Sequence, residues 1–258
     1  MPATEGVPPD IHVSIVIPAY DEARRLPSTL AGWIGFFARQ PYRAEIVVVD
    51  DGSRDGTADV VRAVAAQQPM VRLLRLDTNR GKGGAVRAGM LIATGVYLFY
   101  ADADLNVAPE HVTPAVRLLD GGYDVVIGQR RLRDYAAAER SLPRLLAGAL
   151  VQVVRRALVL PVIRDTQCGF KGFRRQVARA IFERTLIRSF AFDIEVLFLA
   201  RKLGAAMVEL PVTTTYRAGS SYSLRRHLAP FLRDIVQIRV NALRGRYAIP
   251  GRERSGNR

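Results

Sequence analysis

The sequence predicts a doubly wound α/β fold, in which helices cover both faces of a mostly parallel sheet. In the first half of the chain, short apolar or β-branched runs alternate with segments of helical periodicity. Several of these runs are continuously apolar, as expected for strands that are buried on both faces. Polar segments, most of them containing glycine, follow the runs, as loops do at the ends of parallel strands.

Each predicted element follows from this alternation. The predicted strands are Val13–Ile17, Glu45–Val49, Val71–Leu76, Val96–Tyr100 and Val125–Ile127. Between and after them, helices are predicted at residues 22–39, 56–68, 82–93 and 109–120. The second half is predicted to hold the Leu- and Arg-rich helices Ser141–Leu160 and Tyr222–Arg246, a loop at Asp165–Lys171, a helix near 190–203 and an extended run at Met207–Tyr216.

Length and composition predict one large domain rather than two. The chain has 258 residues, of which 49% are hydrophobic, so a packed core is within reach. We expect a catalytic domain at 11–221, a basic amphipathic helix at 222–246, and disordered ends at 1–10 and 247–258. One cysteine, Cys168, excludes an intrachain disulfide, and with only three histidines a zinc enzyme is not expected.

The charge predicts a polyanionic partner. The chain carries 38 Lys and Arg against 24 Asp and Glu, a formal net charge of +14. Nucleic acid, an anionic membrane or phosphorylated substrates would each fit such an excess. A nucleic-acid-binding protein would not explain the acidic pairs at the strand ends, which repel phosphates unless a metal bridges them, so no nucleic acid is expected.

We expect the protein to lie on a membrane without spanning it, at the cytoplasmic face. No signal peptide is evident, and no run reaches the roughly 18 apolar residues of a spanning helix. In Tyr222–Arg246, apolar residues recur at spacings of three and four and are surrounded by arginines, a pattern typical of helices that lie in the headgroup region. That stripe comprises Leu224, Leu228, Phe231, Ile235, Ile238 and Ala242. The alternatives are that it packs on the domain's own sheet or forms a homodimer interface.

Four polar clusters follow predicted strands and describe one site, because ligands of open α/β sheets bind beyond the carboxyl ends of the strands. The clusters are Pro18-Ala19-Tyr20-Asp21-Glu22, Asp50-Asp51-Gly52-Ser53, Asn79-Arg80-Gly81-Lys82-Gly83 and Asp102-Ala103-Asp104.

Asp102-Ala103-Asp104 predicts a divalent-metal site. Two carboxylates one residue apart at a strand end can both reach a cation, and hard oxygen ligands suit Mg²⁺ or Mn²⁺. The metal would neutralise a diphosphate leaving group. The alternative is a solvated acidic turn.

Two of the remaining three clusters each allow two interpretations. Asp50 and Asp51 can accept hydrogen bonds from a nucleobase or ribose, while Asp55 or Thr57 caps the following helix. Gly81-Lys82-Gly83-Gly84 either places an anion at a helix N-terminus, with Lys82 adding charge, or simply forms a tight turn.

Together these motifs resemble those of the family 2 glycosyltransferases, which have the GT-A fold. Asp165-Thr166-Gln167-Cys168-Gly169-Phe170-Lys171 and Phe192-Asp193-x-Glu195 narrow the resemblance to the dolichyl-phosphate β-glucosyltransferase branch, close to the dolichyl-phosphate mannose synthases. The resemblance implies an inverting transfer of a hexose from a nucleotide diphosphate-sugar to a polyprenyl or dolichyl phosphate. It favours UDP-glucose as donor, with GDP-mannose as the alternative.

The resemblance also implies roles for particular residues. Pro18, Ala19, Tyr20, Glu22, Asp50 and Asp51 would hold the nucleotide, with Lys82 near it. Asp102, Ala103 and Asp104 would bind the metal and diphosphate, with Asn106 as a further metal ligand. Arg130, Arg144, Arg217, Ser220 and Ser221 would grip phosphates or close over the site.

The acceptor decides whether a base is needed. A phosphate is already ionised at neutral pH and needs positioning, with Arg217 supplying charge at the leaving group. A soluble family 2 enzyme acting on a saccharide, protein or small-molecule hydroxyl would need a carboxylate base, for which Asp193 or Glu195 is the candidate. Asp193 could equally be a helix N-cap.

Overall fold

The computed structural model describes residues 11–130, 163–214 and 224–248, without the side chains of 224–228. Within these residues, the strands are β1 (Val13–Ala19), β2 (Ala44–Asp50), β3 (Val71–Arg75), β4 (Tyr97–Tyr100), β5 (Val125–Arg130), β6 (Lys171–Arg174) and β7 (Met207–Val212). The helices are α1 (Leu26–Phe37), α2 (Thr57–Gln67), α3 (Gly81–Ile92), α4 (Val112–Asp120), α5 (Arg175–Phe182), α6 (Phe192–Lys202) and α7 (Leu224–Leu243), with a 3₁₀ turn at Pro109–His111.

All seven strands belong to one mixed sheet in the order β3-β2-β1-β4-β6-β5-β7. Six of them run in the same direction, and β6 alone is antiparallel to both of its neighbours. The predicted doubly wound α/β fold, mostly parallel, is therefore confirmed. The carboxyl ends of the six parallel strands lie at the same edge of the sheet, which is where the polar clusters were predicted to meet.

The sheet is buried on both faces, because successive side chains of a strand point to opposite sides. In β1, Val16 belongs to the core packed against α3, α5, α6 and α7. Its neighbours Ile15 and Ile17 belong to the other core, which includes Trp33 of α1. This is why the central strands have continuously apolar sequences.

One strand and one helix were not predicted. The segment Lys171–Arg174 forms β6 and continues directly into α5, whereas the sequence suggested a loop ending at Lys171. A four-residue strand with the sequence Lys-Gly-Phe-Arg has neither alternation nor an apolar run. Its glycine is required by packing, since a Cβ on Gly172 would lie 2.2 Å from the ring of Phe99. The first helix also begins at Leu26 rather than at residue 22, with proline in its first turn.

Residues 222–246 were interpreted as a helix whose apolar stripe faces a membrane, and this is wrong for three of the stripe's described side chains. Phe231, Ile235 and Ile238 are at most 7% exposed and join the core against α6. Tyr247, predicted to start a disordered tail, is fully buried. The catalytic domain therefore extends at least to Tyr247. No helix among the described residues is long and apolar enough to cross a bilayer.

Candidate active site

The loops after β1 and β2 are joined by hydrogen bonds, which confirms that these two clusters meet. The amide of Asp21 donates to Ser53 Oγ at 3.0 Å, and that of Glu22 donates to Thr57 Oγ1 at 2.9 Å. In return, the amide of Arg54 donates to Asp21 Oδ1 at 2.8 Å. Since Asp21 has a φ of +53°, its backbone occupies the left-handed region that asparagine and aspartate tolerate best. The two loops therefore form one rigid unit.

The two predicted nucleotide-binding aspartates at the end of β2 are almost completely buried. Asp50 is 0% exposed and accepts the amide of Ser53 at 3.0 Å, so it holds the turn. Asp51 is 3% exposed, and its Oδ1 accepts the amide of Arg80 at 2.7 Å. Burial raises the pKa of Asp51 above its ordinary value, although those backbone donors oppose the shift. Both carboxylates hold the loops that follow β2 and β3.

A cleft of about 420 Å³ lies beyond the ends of β2 and β3. It is lined by Gly52, Ser53, Arg75, Leu76 and Asp77. Gly52 has a φ of +72°, and a Cβ there would lie 2.9 Å from the backbone of Thr78. Of the residues predicted to hold the nucleotide, Ala19 is buried at the end of β1 while Tyr20 is 41% exposed beside it. Pro18 is half-buried one residue earlier in the strand.

The predicted metal-binding motif follows β4 directly and is held in place by the chain. Thr29 of α1 donates its hydroxyl to the carbonyl oxygen of Ala103 at 2.5 Å. The side-chain amide of Asn106 donates to Asp104 Oδ2 at 2.6 Å, and its backbone amide donates to Oδ1 at 3.1 Å. Leu105, between them, has a φ of +52°. Asp104 and Asn106 therefore lie side by side, as a shared ligand set requires.

Lys82 lies at this motif rather than in a phosphate-binding turn. Its Nζ is 2.6 Å from Asp102 Oδ1 and lies 5.7 Å and 5.8 Å from the ring centres of Phe190 and Phe192. Burial works to raise the pKa of Asp102, but Lys82 lowers it below its ordinary value. Burial likewise works to lower the pKa of Lys82, while Asp102 and Asp193 raise it. The two groups stabilise each other in their charged forms.

The glycines around Lys82 have a packing role, as the tight-turn interpretation expects. A Cβ on Gly81 would lie 2.5 Å from the carbonyl oxygen of Arg188, and one on Gly83 would lie 2.5 Å from that of Ile187. The amide of Gly83 donates to the Arg188 carbonyl at 2.9 Å. Because that donor is already used by the chain, the start of α3 is a weaker anion site than the sequence suggested.

The carboxylates of Glu22, Asp102 and Asp104 lie close enough at the carboxyl edge for their charges to affect one another. Burial raises the pKa of Asp104, and the nearby Asp102 charge raises it further. Burial also raises the pKa of Glu22, with Asp104 and Asp102 among the contributing charges and Arg25 opposing them. A divalent cation would relieve this repulsion, and the oxygen donors suit Mg²⁺ or Mn²⁺. Among the described residues no three acidic, histidine or cysteine side chains converge as a complete metal site, so ligand oxygens would have to complete the shell.

Asp193 is neither a helix cap nor an exposed base. The N-cap of α6 is Ala191, and Asp193 is 2% exposed. Its Oδ1 accepts Lys171 Nζ at 2.5 Å and the Tyr100 hydroxyl at 2.6 Å. The Lys171 ammonium is 0% exposed and also donates to the carbonyl of Cys168 at 2.7 Å. Asp193 therefore neutralises a buried lysine.

The prediction of Glu195 as a catalytic base is contradicted by its surroundings. Its carboxylate is fully buried and accepts the backbone amides of Leu186 at 3.0 Å and Ile187 at 2.9 Å. It also accepts the hydroxyl of Tyr247. Burial raises its pKa, against the effect of these donors. Glu195 holds the loop before α6.

Arg130, predicted to grip a phosphate, lies at the carboxyl end of β5 and is bound to Asp165. Its Nε and Nη2 donate to the two carboxylate oxygens at 2.7 Å and 3.0 Å. Burial works to raise the pKa of Asp165, but Arg130 lowers it below its usual range. Arg144, Arg217, Ser220 and Ser221 lie outside the described residues, as do the helix predicted at 141–160 and the ends 1–10 and 249–258.

The sequence did not predict that residues of the segment before β6 pack against Asp102. A Cβ on Gly169 would lie 2.0 Å from Asp102 Oδ2, so the backbone of the segment before β6 packs directly on that carboxylate. The carbonyl of Cys168, one residue earlier, is fixed by Lys171. The only signal in the sequence was the Cys-Gly-Phe-Lys motif, which predicted a family and not a contact.

Comparison with known proteins identifies the family. The model of Glycosyl transferase family 2 matches residues 14–182. The dolichyl-phosphate beta-glucosyltransferase of Dictyostelium discoideum is 36% identical over 255 residues, covering 93% of this chain and 77% of that protein. The protein of the same name from Drosophila melanogaster is 37% identical, covering 93% and 78%. The chain belongs to glycosyltransferase family 2.

Solved structures place this glycosyltransferase in the GT-A fold. Glucosyl-3-phosphoglycerate synthase from Mycobacterium tuberculosis, in complex with uridine-diphosphate, superposes with a TM-score of 0.66 at 20% identity. That match covers 93% of this chain and 81% of the other. The mannosyltransferase PcManGT from Pyrobaculum calidifontis, with GDP-Man and Mn²⁺, superposes with a TM-score of 0.60 at 23% identity, covering 92% and 65%. The GT-A fold predicted from the motifs is confirmed.

Proposed function

We propose that this glycosyltransferase moves glucose from UDP-glucose to a polyprenyl phosphate at a membrane surface. The relatives named dolichyl-phosphate beta-glucosyltransferase support both the sugar and the acceptor, because they resemble this chain over about nine-tenths of its length. GDP-mannose is the alternative donor. The observation that carries the proposal is the Asp102–Lys82 ion pair beside Asp104. It places two carboxylates and one ammonium group directly after β4.

Mg²⁺ or Mn²⁺ fits the oxygen donors of Asp102, Asp104 and Asn106. Bound there, the ion would supply positive charge for the departing nucleoside diphosphate. Asn106 orients the Asp104 carboxylate. Lys82 holds Asp102 and brings a second positive charge to the same place. The solved neighbour with GDP-Man and Mn²⁺ supports this assignment.

The cleft beside Gly52 is the proposed place of the uracil and ribose. It opens at the carboxyl edge between β2 and β3, next to the loops held by Asp50 and Asp51. Those loops are joined to the loop after β1, which bears the exposed ring of Tyr20.

The buried carboxylates favour a phosphate acceptor over a hydroxyl acceptor. Asp193 neutralises Lys171, and Glu195 is occupied by two backbone amides and a tyrosine hydroxyl. A hydroxyl acceptor needs a base that touches it, whereas an ionised phosphate needs orientation by cations. This arrangement argues against the soluble, hydroxyl-directed alternative.

We also propose that the protein lies at the cytoplasmic face of a membrane, with the outer face of α7 as the contact surface. Phe231, Ile235 and Ile238 of the apolar stripe are buried, so in the described part of α7 it is the outer face that could meet lipid. On that face Val236 and Leu243 are 47% and 73% exposed, and Arg233, Arg239 and Arg244 are exposed among them. Arginines beside exposed apolar side chains suit an anionic headgroup layer.

The decisive experiment is a donor and acceptor panel. UDP-glucose, UDP-galactose and GDP-mannose are each supplied with Mg²⁺ or Mn²⁺, with and without polyprenyl phosphate, and nucleoside diphosphate release is measured. We expect acceptor-dependent release of UDP from UDP-glucose that EDTA abolishes. Calorimetry in which GDP-mannose binds about tenfold more tightly than UDP-glucose would reverse the donor assignment.

A further inference from the structure

The loop between α5 and α6 exposes two large apolar side chains at the rim of the active site. Leu186 is 47% exposed and Phe190 is 43% exposed, with exposed Arg188 between them. Ile187, which points the other way, is 8% exposed and belongs to the core. The three outward side chains therefore alternate apolar, basic, apolar along one short strip.

This strip lies beside the proposed reaction centre. The ring of Phe190 is 5.7 Å from Lys82 Nζ, which is in turn 2.6 Å from Asp102 Oδ1. The carbonyl oxygen of Arg188 accepts the amide of Gly83, the residue that follows Lys82. The strip therefore adjoins the two charged groups at which the proposed acceptor phosphate would react.

The loop is held rigidly even though its apolar side chains face outward. Glu195 accepts the amides of Leu186 and Ile187, as described above. Ser189 donates its hydroxyl to Asp234 Oδ2 on α7 at 2.6 Å. A rigid backbone that keeps leucine and phenylalanine exposed resembles a preformed contact surface rather than a loop awaiting burial.

We propose that the strip Leu186-Arg188-Phe190 is the surface that enters the lipid leaflet holding the acceptor. This inference rests on the proposed function, because a polyprenyl phosphate presents its charged group at the leaflet surface while its tail stays among the lipid chains. Leu186 and Phe190 contact the acyl region, and Arg188 lies at the phosphate layer. Asp234 connects the strip to α7, whose outward Arg233 extends the basic surface.

The opposite edge of the sheet provides matched controls. Val96 and Tyr123 are 41% and 39% exposed, yet they precede β4 and β5 and so lie at the amino ends of the strands. They expose similar apolar area in the same protein, far along the strands from the carboxyl edge. Unspecific adsorption to lipid would involve exposed apolar side chains at both edges of the sheet, whereas the proposed surface lies only at the carboxyl edge.

The first test is fluorescence quenching by brominated phosphatidylcholine in vesicles that also contain phosphatidylglycerol. The chain has one tryptophan, Trp33, which is fully buried and provides a constant background. We expect the added emission of Leu186→Trp to be quenched by brominated lipid and that of Tyr123→Trp to be unaffected. No quenching for Leu186→Trp would overturn the proposal and leave a protein partner as the occupant of the strip. Equal quenching for both variants would overturn it in favour of unspecific adsorption to lipid.

The second test is vesicle binding and turnover. Leu186→Asn with Phe190→Asn is expected to weaken vesicle binding by about tenfold or more, and Val96→Asn with Tyr123→Asn to leave it unchanged. Leu186→Asn alone is expected to slow glucosylation of vesicle-borne polyprenyl phosphate while leaving a water-soluble short-chain phosphate within about twofold of wild type. Equal losses on both acceptors would contradict the proposal.

The same experiments distinguish failure of the proposed reaction from failure of the proposed lipid contact. If the wild-type protein glucosylates neither acceptor, the assigned reaction is wrong, and the quenching measurement still reports whether lipid contacts Leu186. If both acceptors are glucosylated and Leu186→Trp is not quenched, the reaction stands and only the lipid contact is wrong.

Discussion

Lys171 and Asp193 form an ion pair of 2.5 Å in which the two side chains are 0% and 2% exposed. The pair lies behind the metal-binding motif, because Lys171 also fixes the carbonyl of Cys168 and Gly169 packs on the Asp102 carboxylate. The carboxylate that the sequence suggested as a base is thus occupied by Lys171, which also holds the backbone that packs on Asp102.

Breaking this pair should destabilise the fold. Lys171→Met and Asp193→Asn are each expected to lower the free energy of unfolding by about 3–5 kcal/mol, because each leaves a buried charge without its partner. Urea unfolding measures this, with Arg201→Met on the exposed end of α6 as a control expected to change it by less than about 0.5 kcal/mol. Wild-type stability of both variants would contradict this role for the pair.

Removing either metal-binding carboxylate should abolish transfer without unfolding the protein. Asp102→Asn and Asp104→Asn are expected to reduce turnover by about a hundredfold or more, since the leaving diphosphate loses its compensating charge. Initial rates with Mn²⁺ and thermal melting measure the two effects. Asp59→Asn, whose side chain is 81% exposed on α2, is the matched control and should retain its rate. Full activity of wild-type protein in EDTA would refute the metal assignment.

The glycines on either side of Lys82 should be required by packing. Gly83→Ala is expected to lower the free energy of unfolding by about 1–3 kcal/mol, because its Cβ would lie 2.5 Å from the Ile187 carbonyl and 2.6 Å from Phe192 Cβ. Gly35→Ala in α1 is the control, where the nearest atom is 3.9 Å away, and it should stabilise the helix by about 0.5–1 kcal/mol. Chemical denaturation of both variants checks the contrast, and equal effects would contradict it.

The Arg130–Asp165 pair should make stability depend on pH in the acidic range. The pKa of Asp165 is lower in the folded protein than in the unfolded chain, so its contribution is fully present above about pH 4 and is lost as pH falls through the folded pKa. The difference in unfolding free energy between wild type and Asp165→Asn should therefore be larger at neutral pH than near pH 3. A difference that does not change with pH would show that the pair does not contribute in this way.

The sequence predicted the fold because its signals are local. Val13–Ala19 and Ala44–Asp50 are apolar over most of their lengths since both faces of the sheet are covered, and this can be recognised without coordinates. The sequence did not predict β6, because its four residues of mixed polarity form a strand only through pairing with β4 and β5 on either side. Periodicity predicted an amphipathic α7 correctly, but not that its apolar stripe packs on α6 instead of facing lipid.

For the active site, the sequence by itself determined which residue types follow each strand and that they meet at one edge. Asp50, Asp51, Lys82, Asp102 and Asp104 were identified in this way. Only the tertiary structure decided what each carboxylate does, because exposure and partners depend on residues far along the chain. The Asp104 carboxylate is hydrogen-bonded to Asn106, two positions away. In contrast, Asp193 is paired with Lys171, 22 positions away, and Glu195 accepts a hydrogen bond from Tyr247, 52 positions away. Burial makes the charge of such a carboxylate costly without a partner, and which partner it finds is set by packing rather than by spacing.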